Sequence, residues 1–548
     1  MLTWGWIYFA LNFLMLFILI SDSFYFSIVK RHMSDEILTL RQDGSLLWHI
    51  AIANYLGPIL IFFALVVIIG LGWRKLLDVP LKPEKRPYLL TLLVAIFLFL
   101  SIRGSVSAKP ISTVDAFMSA DSREGHLVLN GIFTSWHALL NWDDVSYSFL
   151  SNHDLEKTLG KIGIDSHRQF PFLKKSSLKK GEDPQKYNVV IFLLESWGSY
   201  YVDSLGNQNF GATPFFDELA KKGVLFPNFF AHGSRSIEGI QSVLTSFPAL
   251  KGLPDLGVGL ELMNLPRIGD VLAKAGYETF FLQSAARRSF RLDAIATALG
   301  FQHYFGGEDY PKLLDYHGEP PPQFGWDYEA MMFLVKQLNK TEKPFFSFLY
   351  TGTSHTPFRK TPMTLDSEKH ETNNAVGFLN TLYYVDSCLK EFFNAASMEP
   401  WFENTIFIIT ADHVYTAFRP FDFLDSQRVP LLIYAPRLFA PAINLKTAAH
   451  LDILPTLLDL LPIDREMSFA GTSLFDQERP GLAWISGRYG NPALITDKGF
   501  VRHTLTRALE KKSFTSDCDE RCLEEIELEL LALNQITFQL MKMNRWQP

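Results

Sequence analysis

The stretch HGSRSIEG, residues 232–239, places a serine after a basic residue and just before a helical pattern, directly after the apolar run VLFPNFF. A serine in such a place often caps a helix, because its hydroxyl accepts a hydrogen bond from the first backbone N–H groups. The same hydroxyl becomes a nucleophile when a neighbouring base or metal ion activates it. The stretch therefore leaves two roles open for Ser236, helix cap or catalytic nucleophile.

Other polar residues close apolar runs elsewhere in the chain. They are Glu195, Ser284, His355, Asp412 and His413. Any one of them alone is typical of a helix cap or of a satisfied polar end of a strand. As a set they supply the oxygen and nitrogen donors that Mn²⁺, Mg²⁺ or Zn²⁺ binds. A cation held by them would lower the pKa of a bound hydroxyl, which is the activation that an isolated serine lacks.

The elements that must position these residues alternate along the chain. Continuous apolar runs, typical of strands buried on both faces of a parallel sheet, occur at 188–196, 278–284, 344–352, 404–412 and 429–436. Helical periodicity occurs between them, at 213–223, 268–276, 328–340 and 378–396. This alternation predicts an α/β layered fold with its functional residues at the carboxyl ends of the strands.

Three apolar blocks near the N-terminus predict membrane helices, at 4–20, 51–73 and 88–102. About 20 residues span a hydrocarbon core of roughly 30 Å, so the second block spans easily, the first nearly so, and the third is short without its flanks. A cleaved signal peptide fits the first block poorly, because no basic segment precedes it and no small-residue cleavage site follows it. The basic residues in 74–86 predict a cytoplasmic loop and an extracytoplasmic location from about residue 108 onward.

The net charge of −7 gives no basic stripe of the kind that binds nucleic acid.

Residues 108–186 predict a connector, with an amphipathic helix within 125–142 that lies on the bilayer or on the following domain, and a solvated hinge at 174–186. Cys518 and Cys522 are spaced for either a disulfide or two free thiols on a solvated helix, and the sequence leaves both open.

These motifs resemble those of the membrane-anchored phosphotransferases of the alkaline phosphatase and sulfatase superfamily, in particular lipoteichoic acid synthase-like enzymes. The resemblance covers roughly 187–465 and rests on NVVIFLLESWGS, ATPFFDELAKKGVLFPNFFAHGSRSIEGIQSVLTSFP, SHTPF, TADH and HLDILPTLLDLL. It implies N-terminal transmembrane helices followed by a mixed, mostly parallel sheet sandwiched by helices. The expected domains are an anchor of about three helices at 1–107, an amphipathic connector at 108–186, a catalytic domain at 187–470 and a small C-terminal α+β portion at 471–548 that packs on the catalytic domain.

The resemblance also implies a metal site. The positions that match the family's metal-binding residues, commonly with Mn²⁺, are Glu195, Ser236, Asp412 and His413. Ser236 stands where the family usually has threonine as its nucleophile, and a phosphorylated Ser236 is the expected intermediate. A helix beginning near Ile237 would direct N–H groups at the phosphate, so the capping and catalytic roles are compatible. SRSIEG lacks the C/S-x-P-x-R pattern of a formylglycine sulfatase.

The resemblance weakens at 281–293, where the synthases carry a His-Gly-Asp run and this chain has Gln283 and Ser284 nearby. The expected substrate-binding residues are Arg235, Arg287, Arg288, Trp326 and Asp327, with Arg291 and His355 joining Ser236 as catalytic residues. The three arginines after Ser284 could offer a fork to phosphate, or could lie on an exposed helix face. His355 is expected to face the phosphate or to protonate the leaving group rather than to bind the metal. His450 and Asp452 resemble a packing element of the superfamily.

The implied function is transfer of a phosphoglycerol-type head group from a membrane phospholipid to a cell-envelope glycan or glycolipid. The implied location is the inner (plasma) membrane, as a multi-pass protein with an extracytoplasmic catalytic domain. A membrane anchor favours a lipid donor, because tethering raises the donor's effective concentration. Alternatives are a phosphoethanolamine transferase, a phosphodiesterase or other hydrolase acting at the same site, and a non-catalytic lipid-binding membrane regulator.

Overall fold

A computed structural model describes the chain except for residues 1, 30–31, 34–35, 78–87, 107–109, 118–121, 141–146, 177–184, 323, 479 and 488–489. The described residues form two compact units, Met1–Trp142 and Asp143–Pro548. The division falls inside the predicted connector 108–186. The connector is therefore not a separate segment, because its first part packs with the N-terminal helices and its second part with the larger unit.

The N-terminal unit is helical. Its helices are α1 (Leu2–Val29), α2 (Glu36–Leu77), α3 (Tyr88–Arg103), α4 (Ser122–Val128) and α5 (Gly131–Leu140). By length and composition, Trp4–Ser27 and Tyr55–Leu77 could cross a membrane, with mean hydropathies of 1.9 and 2.5. Helix α3 has 16 residues, and at 1.5 Å per residue it is about 24 Å long, less than a hydrocarbon core of roughly 30 Å. Most of the predicted cytoplasmic loop, 78–86, lies outside the described residues, so the orientation stays a prediction.

The predicted amphipathic helix within 125–142 is divided into α4 and α5. Asn130 causes the break, because its side-chain oxygen accepts a hydrogen bond of 3.1 Å from the Phe133 N–H and so caps a new helix. In helix α5 Trp136 and Leu140 are exposed by 59% and 66%, and its placement on a bilayer or on the following domain stays a prediction.

The larger unit, Asp143–Pro548, is built on an eight-stranded mixed sheet. The strands of this unit are β1 (Leu173–Ser176), β2 (Asn188–Leu194), β3 (Val224–Leu225), β4 (Phe229–Phe230), β5 (Glu278–Gln283), β6 (His303–Phe305), β7 (Phe345–Tyr350), β8 (Thr405–Ala411), β9 (Leu431–Tyr434), β10 (Ala442–Ile443), β11 (Ala448–Ala449), β12 (Arg465–Ser468), β13 (Leu482–Ile485), β14 (Ala493–Thr496), β15 (Gly499–His503) and β16 (Ala508–Ser513). The large sheet has the order β10-β3-β9-β8-β2-β7-β5-β6. Strands β8, β2, β7, β5 and β6 are mutually parallel, whereas β9 is antiparallel to β8 and β3.

Helices connect and flank these strands. They are α6 (Asn152–Lys161), α7 (Asp203–Gly206), α8 (Pro214–Ala220), α9 (Ser236–Thr245), α10 (Ile268–Lys274), α11 (Leu292–Ala298), α12 (Asp327–Leu338), α13 (Ala375–Ala396), α14 (Ile453–Leu460) and α15 (Glu520–Lys542). Every residue of β2, β7 and β8 is buried, as their continuous apolar runs predict. The predicted fold class, an α/β fold with a mixed, mostly parallel sheet, is confirmed.

The C-terminal residues form an antiparallel sheet, β13-β14-β15-β16, and the long helix α15. Trp546 anchors the end of the chain, since its ring lies 4.7 Å from Phe172 and 4.8 Å from Phe247 between centroids. The predicted hinge 174–186 begins in regular structure, because β1 pairs with β12, and residues 177–184 lie outside the described part. Cys518 and Cys522 form a disulfide.

Candidate active site

Four sequence-predicted residues meet at one edge of the large sheet. Glu195 directly follows β2, and Asp412 and His413 follow the adjacent parallel strand β8. One ligand atom from each of these three residues lies within 4.8 Å of the others. Helix α9 brings in Ser236, whose Oγ lies 3.2 Å from Glu195 Oε2 and 3.4 Å from His413 Nε2. The parallel register therefore produces the constellation that the strand ends predicted.

Ser236 is the first residue of α9, and Arg235 occupies the N-cap position. The helix thus begins one residue earlier than expected. The Ser236 hydroxyl donates to Glu195 Oε2, toward the carboxylate cluster. Of the two roles open from the sequence, the geometry favours the nucleophile over the cap.

Glu238 holds the turn that presents Ser236. Its Oε2 accepts hydrogen bonds from the backbone N–H groups of Ser234 and Arg235, at 2.9 and 3.1 Å. Its Oε1 accepts one of 2.7 Å from the hydroxyl of Ser486, which follows β13. Burial raises the pKa of the Glu238 carboxyl. The C-terminal portion therefore supports the turn that carries Ser236 directly.

Gly239 explains the second glycine of HGSRSIEG. A Cβ added there would lie 2.8 Å from the carbonyl oxygen of Asp412 and 2.9 Å from its Cα, closer than side chains normally approach a backbone. Glycine therefore lets the first turn of α9 pack directly on Asp412, one of the predicted metal ligands.

We expect Gly239→Ala to lower the melting temperature and to weaken divalent-cation binding, since either α9 or Asp412 must move. The matched control is Gly160→Ala in α6, where an added Cβ meets nothing within 4 Å. Helix propensity alone should make that control more stable by about 0.5–1 kcal/mol. Thermal melts and Mn²⁺ titrations of both variants check the prediction, and equal behaviour of the two would contradict it.

The donor set fits a divalent cation. The side chains of Glu195 and Asp412 are 0% exposed. Within the part of the chain that the structure describes, neither carboxylate forms a salt bridge with an arginine or a lysine, and both pair with His413 at 3.7 Å. Two buried carboxylates so close together are costly without a compensating positive charge. A cation ligated by Glu195, Asp412, His413 and Ser236 would provide that charge.

The titration behaviour of the cluster follows from the same crowding. Burial and the charge of Glu195 raise the pKa of Asp412 to about 7. Burial alone would raise the pKa of Glu195, but the positive charges of His413 and His355 bring it below its ordinary value. Burial opposes protonation of His413, yet the charges of Asp412 and Glu195 raise its pKa overall. The cluster therefore attracts positive charge.

His355 lies beside the cluster on the loop after β7. Its charge acts on Glu195, and its ring lies 4.0 Å from that of Phe324 between centroids. The preceding residue fixes this loop, because the Ser354 hydroxyl donates a hydrogen bond of 2.6 Å to the Glu195 carbonyl oxygen. The His355 Nδ1 contacts the Thr356 carbonyl oxygen at 2.6 Å, which leaves Nε2 for a substrate.

Asp327 holds the same loop through backbone hydrogen bonds. Its carboxylate, which is fully buried, accepts hydrogen bonds from the N–H groups of Gly352 and Thr353, at 2.7 and 3.0 Å. Burial raises the pKa of Asp327 to about 6. Trp326 stacks on Tyr316 with 3.9 Å between ring centroids. The Asp327 contacts order the backbone just before His355, and direct substrate binding by Trp326 and Asp327 stays a prediction.

The predicted phosphate-binding arginines have protein partners. Arg287 forms an ion pair with Asp309, and its backbone N–H donates to Glu308. Arg288 Nε lies 3.5 Å from an Asp293 carboxylate oxygen. A phosphate would have to compete with these carboxylates, so the geometry gives less support to Arg287 and Arg288 than the sequence did. Arg235 is exposed beside Ser236.

Arg291 lies in a strained turn near His355. Phe290 and Arg291 both adopt left-handed backbone conformations, with φ of 54° and 57°. Such conformations cost roughly 1–3 kcal/mol each in residues with side chains, and they cluster at functional sites. The Phe290 ring stacks on Phe324 at 5.0 Å, and Phe324 contacts His355. The turn therefore borders the site, as the assignment of Arg291 requires.

His450 and Asp452 are packing residues, as expected. His450 Nε2 contacts the carbonyl oxygen of Ala411 at 2.7 Å, directly before Asp412. Its Nδ1 accepts a hydrogen bond of 3.2 Å from the His232 N–H. Asp452 accepts one of 2.9 Å from the Ala449 N–H. These contacts connect the loop that precedes Ser236 with the sheet edge that carries Asp412.

His232, the first residue of HGSRSIEG, makes stability depend on pH. Its Nε2 accepts a hydrogen bond of 2.9 Å from the Ala249 N–H, and its Nδ1 contacts the Trp484 carbonyl oxygen. Burial lowers the pKa of His232 to about 4, so the unfolded chain binds a proton near pH 6.5 and the folded chain does not. The stability contributed is fully present above pH 6.5 and is lost as the pH falls toward 4, by roughly 3 kcal/mol.

We expect His232→Gln, which keeps a polar side chain but cannot titrate, to reduce the pH dependence of the free energy of unfolding between pH 6.5 and 4. His450, whose pKa burial lowers to about 3, continues to act in the same direction as His232. Carboxyl groups with raised pKa values, such as Asp386, act in the opposite direction, so the difference between variant and wild type is the informative quantity. Chemical denaturation across this range checks it. Parallel curves for the two proteins would show that His232 does not set the slope.

Sequence reasoning missed two contributors. Tyr350, the last residue of β7, places its hydroxyl against both Glu195 and Asp412. Glu238 holds the Ser236 turn. Tyr350 could have been found because it is the last residue of the apolar run FFSFLY and carries a hydroxyl, as the polar residues at the other strand ends do. The signal for Glu238 was an acid three residues after the N-cap, the position that reaches back to free N–H groups.

Part of the larger unit is similar to known proteins. Residues 187–463, about half of the chain, match the model of the Sulfatase family. Lipoteichoic acid synthase 1 of Bacillus subtilis (strain 168) is 25% identical over 386 residues, covering 65% of this chain and 59% of that protein. Lipoteichoic acid synthase of Staphylococcus aureus (strain USA300) is 26% identical over 322 residues, covering 54% and 48%. The chain therefore spans about half the length of these relatives.

Solved structures show the same fold. An alkaline phosphatase superfamily protein from Vibrio parahaemolyticus superposes with a TM-score of 0.61 at 22% identity, covering 73% of this chain and 98% of that one. The lipoteichoic acid synthase LtaP from Listeria monocytogenes superposes with a TM-score of 0.55 at 17% identity, covering 71% and 98%. The fold is that of the alkaline phosphatase superfamily.

The chain belongs to the sulfatase family. It is homologous to lipoteichoic acid synthases.

Proposed function

We propose that this protein transfers a phosphoglycerol-type head group from a membrane phospholipid to a cell-envelope glycan or glycolipid, through a phosphorylated Ser236. The observation that carries the proposal is the contact of the Ser236 hydroxyl with Glu195 and His413 at the edge of the buried carboxylate cluster. The homology to lipoteichoic acid synthases supports phosphoglycerol as the transferred group.

In the first half of the proposed reaction, a bond forms between Ser236 Oγ and phosphorus, and the P–O bond to diacylglycerol breaks. The Oγ proton is directed at Glu195 Oε2. The departing alkoxide of diacylglycerol takes up a proton, and His355 Nε2 is the proposed donor. A divalent cation bound by the cluster, with Mn²⁺ the expected ion, would lower the pKa of the Ser236 hydroxyl and offset the charge of the phosphate.

In the second half, an acceptor hydroxyl attacks phosphorus and the bond to Ser236 Oγ breaks. The acceptor's proton passes to His355, and Ser236 Oγ takes back its proton from Glu195, which restores the first state. A water molecule in place of the acceptor would release free glycerol phosphate instead. Transferase and hydrolase therefore share every protein residue and differ in which nucleophile reaches the phosphorylated serine.

The apolar N-terminal helices favour a lipid donor. Trp4–Ser27 and Tyr55–Leu77 are each long enough to cross a bilayer. A membrane-embedded anchor holds the catalytic domain near lipid head groups and raises their effective concentration. The proposed location is the plasma membrane, with the catalytic domain outside the cytoplasm.

The test incubates the purified full chain and Mn²⁺ with vesicles that carry acyl-labelled phosphatidylglycerol or phosphatidylethanolamine. We expect labelled diacylglycerol from phosphatidylglycerol. If diacylglycerol is released only from phosphatidylethanolamine, the transferred group is phosphoethanolamine and not phosphoglycerol. If the protein binds Mn²⁺ and releases diacylglycerol from neither lipid, the proposed function is contradicted. A head-group label then separates transfer to an added glycolipid from release of free glycerol phosphate.

A further inference from the structure

Tyr350 projects a hydroxyl into the centre of the carboxylate cluster. Its side chain is buried, with 3% exposed, at the carboxyl end of β7. In the sheet it pairs with Leu193 on β2, two residues before Glu195. Strand β8 lies on the far side of β2, so the tyrosine reaches across the Glu195 strand toward Asp412. Its hydroxyl donates to Glu195 Oε2 and also lies 3.2 Å from Asp412 Oδ2.

The hydroxyl contacts the carboxylate oxygens that face Ser236 and His413. The other oxygen of each group is fixed locally: Glu195 Oε1 accepts from the Ser196 hydroxyl at 2.6 Å, and Asp412 Oδ1 accepts from the backbone N–H groups of Ser196 and His413 at 2.8 and 2.7 Å. Asp412 Oδ2 is the atom nearer the His413 imidazole, at 3.7 Å. Tyr350 thus restrains one oxygen of each carboxylate, Glu195 Oε2 beside Ser236 and Asp412 Oδ2 beside His413, while Glu195 Oε1 lies 3.7 Å from His413 Nε2.

A hydrogen bond at these oxygens is compatible with metal binding. Each carboxylate oxygen has two acceptor sites. At Asp412 Oδ2 the phenol leaves one of them for a cation. At Glu195 Oε2 the second site accepts from the Ser236 hydroxyl, and it becomes free for a cation once that hydroxyl is itself a ligand. A phenol carries one hydrogen, which Tyr350 shares between two like-charged groups and thereby draws them together. Fixing ligand orientation before the cation arrives removes an ordering cost from the binding step.

We propose that Tyr350 is a positioning residue that holds Glu195 and Asp412 at the spacing a divalent cation needs. The proposal rests on the metal site of the proposed function. Removing hydrogen-bond partners of metal ligands typically weakens affinity by 10–100-fold. Tyr350→Phe, which keeps the buried ring, should therefore raise the Mn²⁺ dissociation constant by about 10–100-fold.

Tyr277→Phe is the matched control. Tyr277 is as deeply buried, at 1% exposed, and its hydroxyl has no hydrogen-bond partner among the described residues. Both variants lose one buried hydroxyl, so a general effect on packing would appear in both. We expect the Tyr277 variant to bind Mn²⁺ as the wild type does.

The experiment titrates Mn²⁺ into metal-free full-length wild type and both variants by calorimetry, and records the electron paramagnetic resonance spectrum of bound Mn²⁺. We expect weaker binding and an altered spectrum in Tyr350→Phe alone, with diacylglycerol release largely restored at saturating Mn²⁺. If the wild type binds Mn²⁺ and the Tyr350→Phe variant binds it with the same affinity and the same spectrum, the assignment of Tyr350 is overturned and the metal site is not. Wild type that binds no cation would overturn the metal site together with this assignment.

If the Tyr350→Phe variant does not fold, a second substitution tests the same assignment. 3-Fluorotyrosine at position 350 keeps the hydroxyl and the ring but makes the hydroxyl a stronger donor. We expect it to fold and to shift Mn²⁺ affinity and the resonance spectrum. Values identical to those of the wild type would overturn the assignment.

Discussion

Ser236→Ala is expected to fold normally and to lose head-group transfer, by about a thousandfold or more in turnover. The variant lacks the oxygen that forms the bond to phosphorus, and neighbouring side chains do not replace it. A purely structural serine predicts a different result, a stability cost of about 0.5–2 kcal/mol with turnover retained in the folded protein. Because Arg235 and not Ser236 occupies the N-cap, we expect little change in the melting temperature.

Ser236→Thr separates loss of the hydroxyl from disturbance of the turn. Threonine keeps the hydroxyl oxygen. It is also the usual residue at this position in the family that the sequence motifs resemble. Its extra methyl must fit beside Arg235 and Ile237, and the position is only partly buried. We expect measurable diacylglycerol release from the threonine variant and none from the alanine variant. Near wild-type release from the alanine variant would return Ser236 to a structural role.

Asp412→Asn is the second change with a large expected effect, weakening Mn²⁺ binding by roughly a hundredfold or more. An asparagine oxygen can still accept the hydrogen bonds that Ser196 and His413 give to Asp412 Oδ1, so the loop should keep its shape. The amide nitrogen would then replace Oδ2, and it cannot donate electrons to a hard cation. Calorimetric titration with Mn²⁺ measures the loss.

Stability without metal distinguishes a lost ligand from a misfolded site. Asp412 and Glu195 are both fully buried and repel one another, as the raised pKa of Asp412 shows. A neutral amide removes that repulsion, so Asp412→Asn should melt at or above the wild-type temperature in the presence of a chelator. Full metal occupancy and unchanged turnover in this variant would remove Asp412 from the site.

The sheet and its ligand-bearing edge follow from the sequence because they depend on local pattern. The run 188–196 ends in Glu195 and the run 404–412 in Asp412, and burial on both faces requires each run to be continuously apolar. Once the strands are parallel neighbours, their last residues must meet. Ser236 was found for a different reason, because its neighbours match a family motif.

The rest depends on contacts between segments far apart in the chain. Whether Arg287 faces a phosphate or an acid is decided by Asp309, which no local pattern connects with it. Tyr350 reads as an ordinary aromatic strand residue until the order β7-β2-β8 places it across from Asp412. The break between α4 and α5 comes from a local contact, the cap formed by Asn130. The helical spacing of apolar residues continues across Asn130, so the sequence pattern predicted a single helix.

The most direct test of the proposed chemistry is to trap the phosphorylated enzyme. Purified full-length protein with Mn²⁺ is mixed with phosphatidylglycerol in the absence of acceptor, quenched in acid, digested and mapped by mass spectrometry. We predict a glycerol-phosphate adduct on Ser236 that forms in step with diacylglycerol release and disappears when acceptor is added before the quench. An adduct on another residue, or diacylglycerol release with Ser236 unmodified throughout the time course, would contradict the proposal.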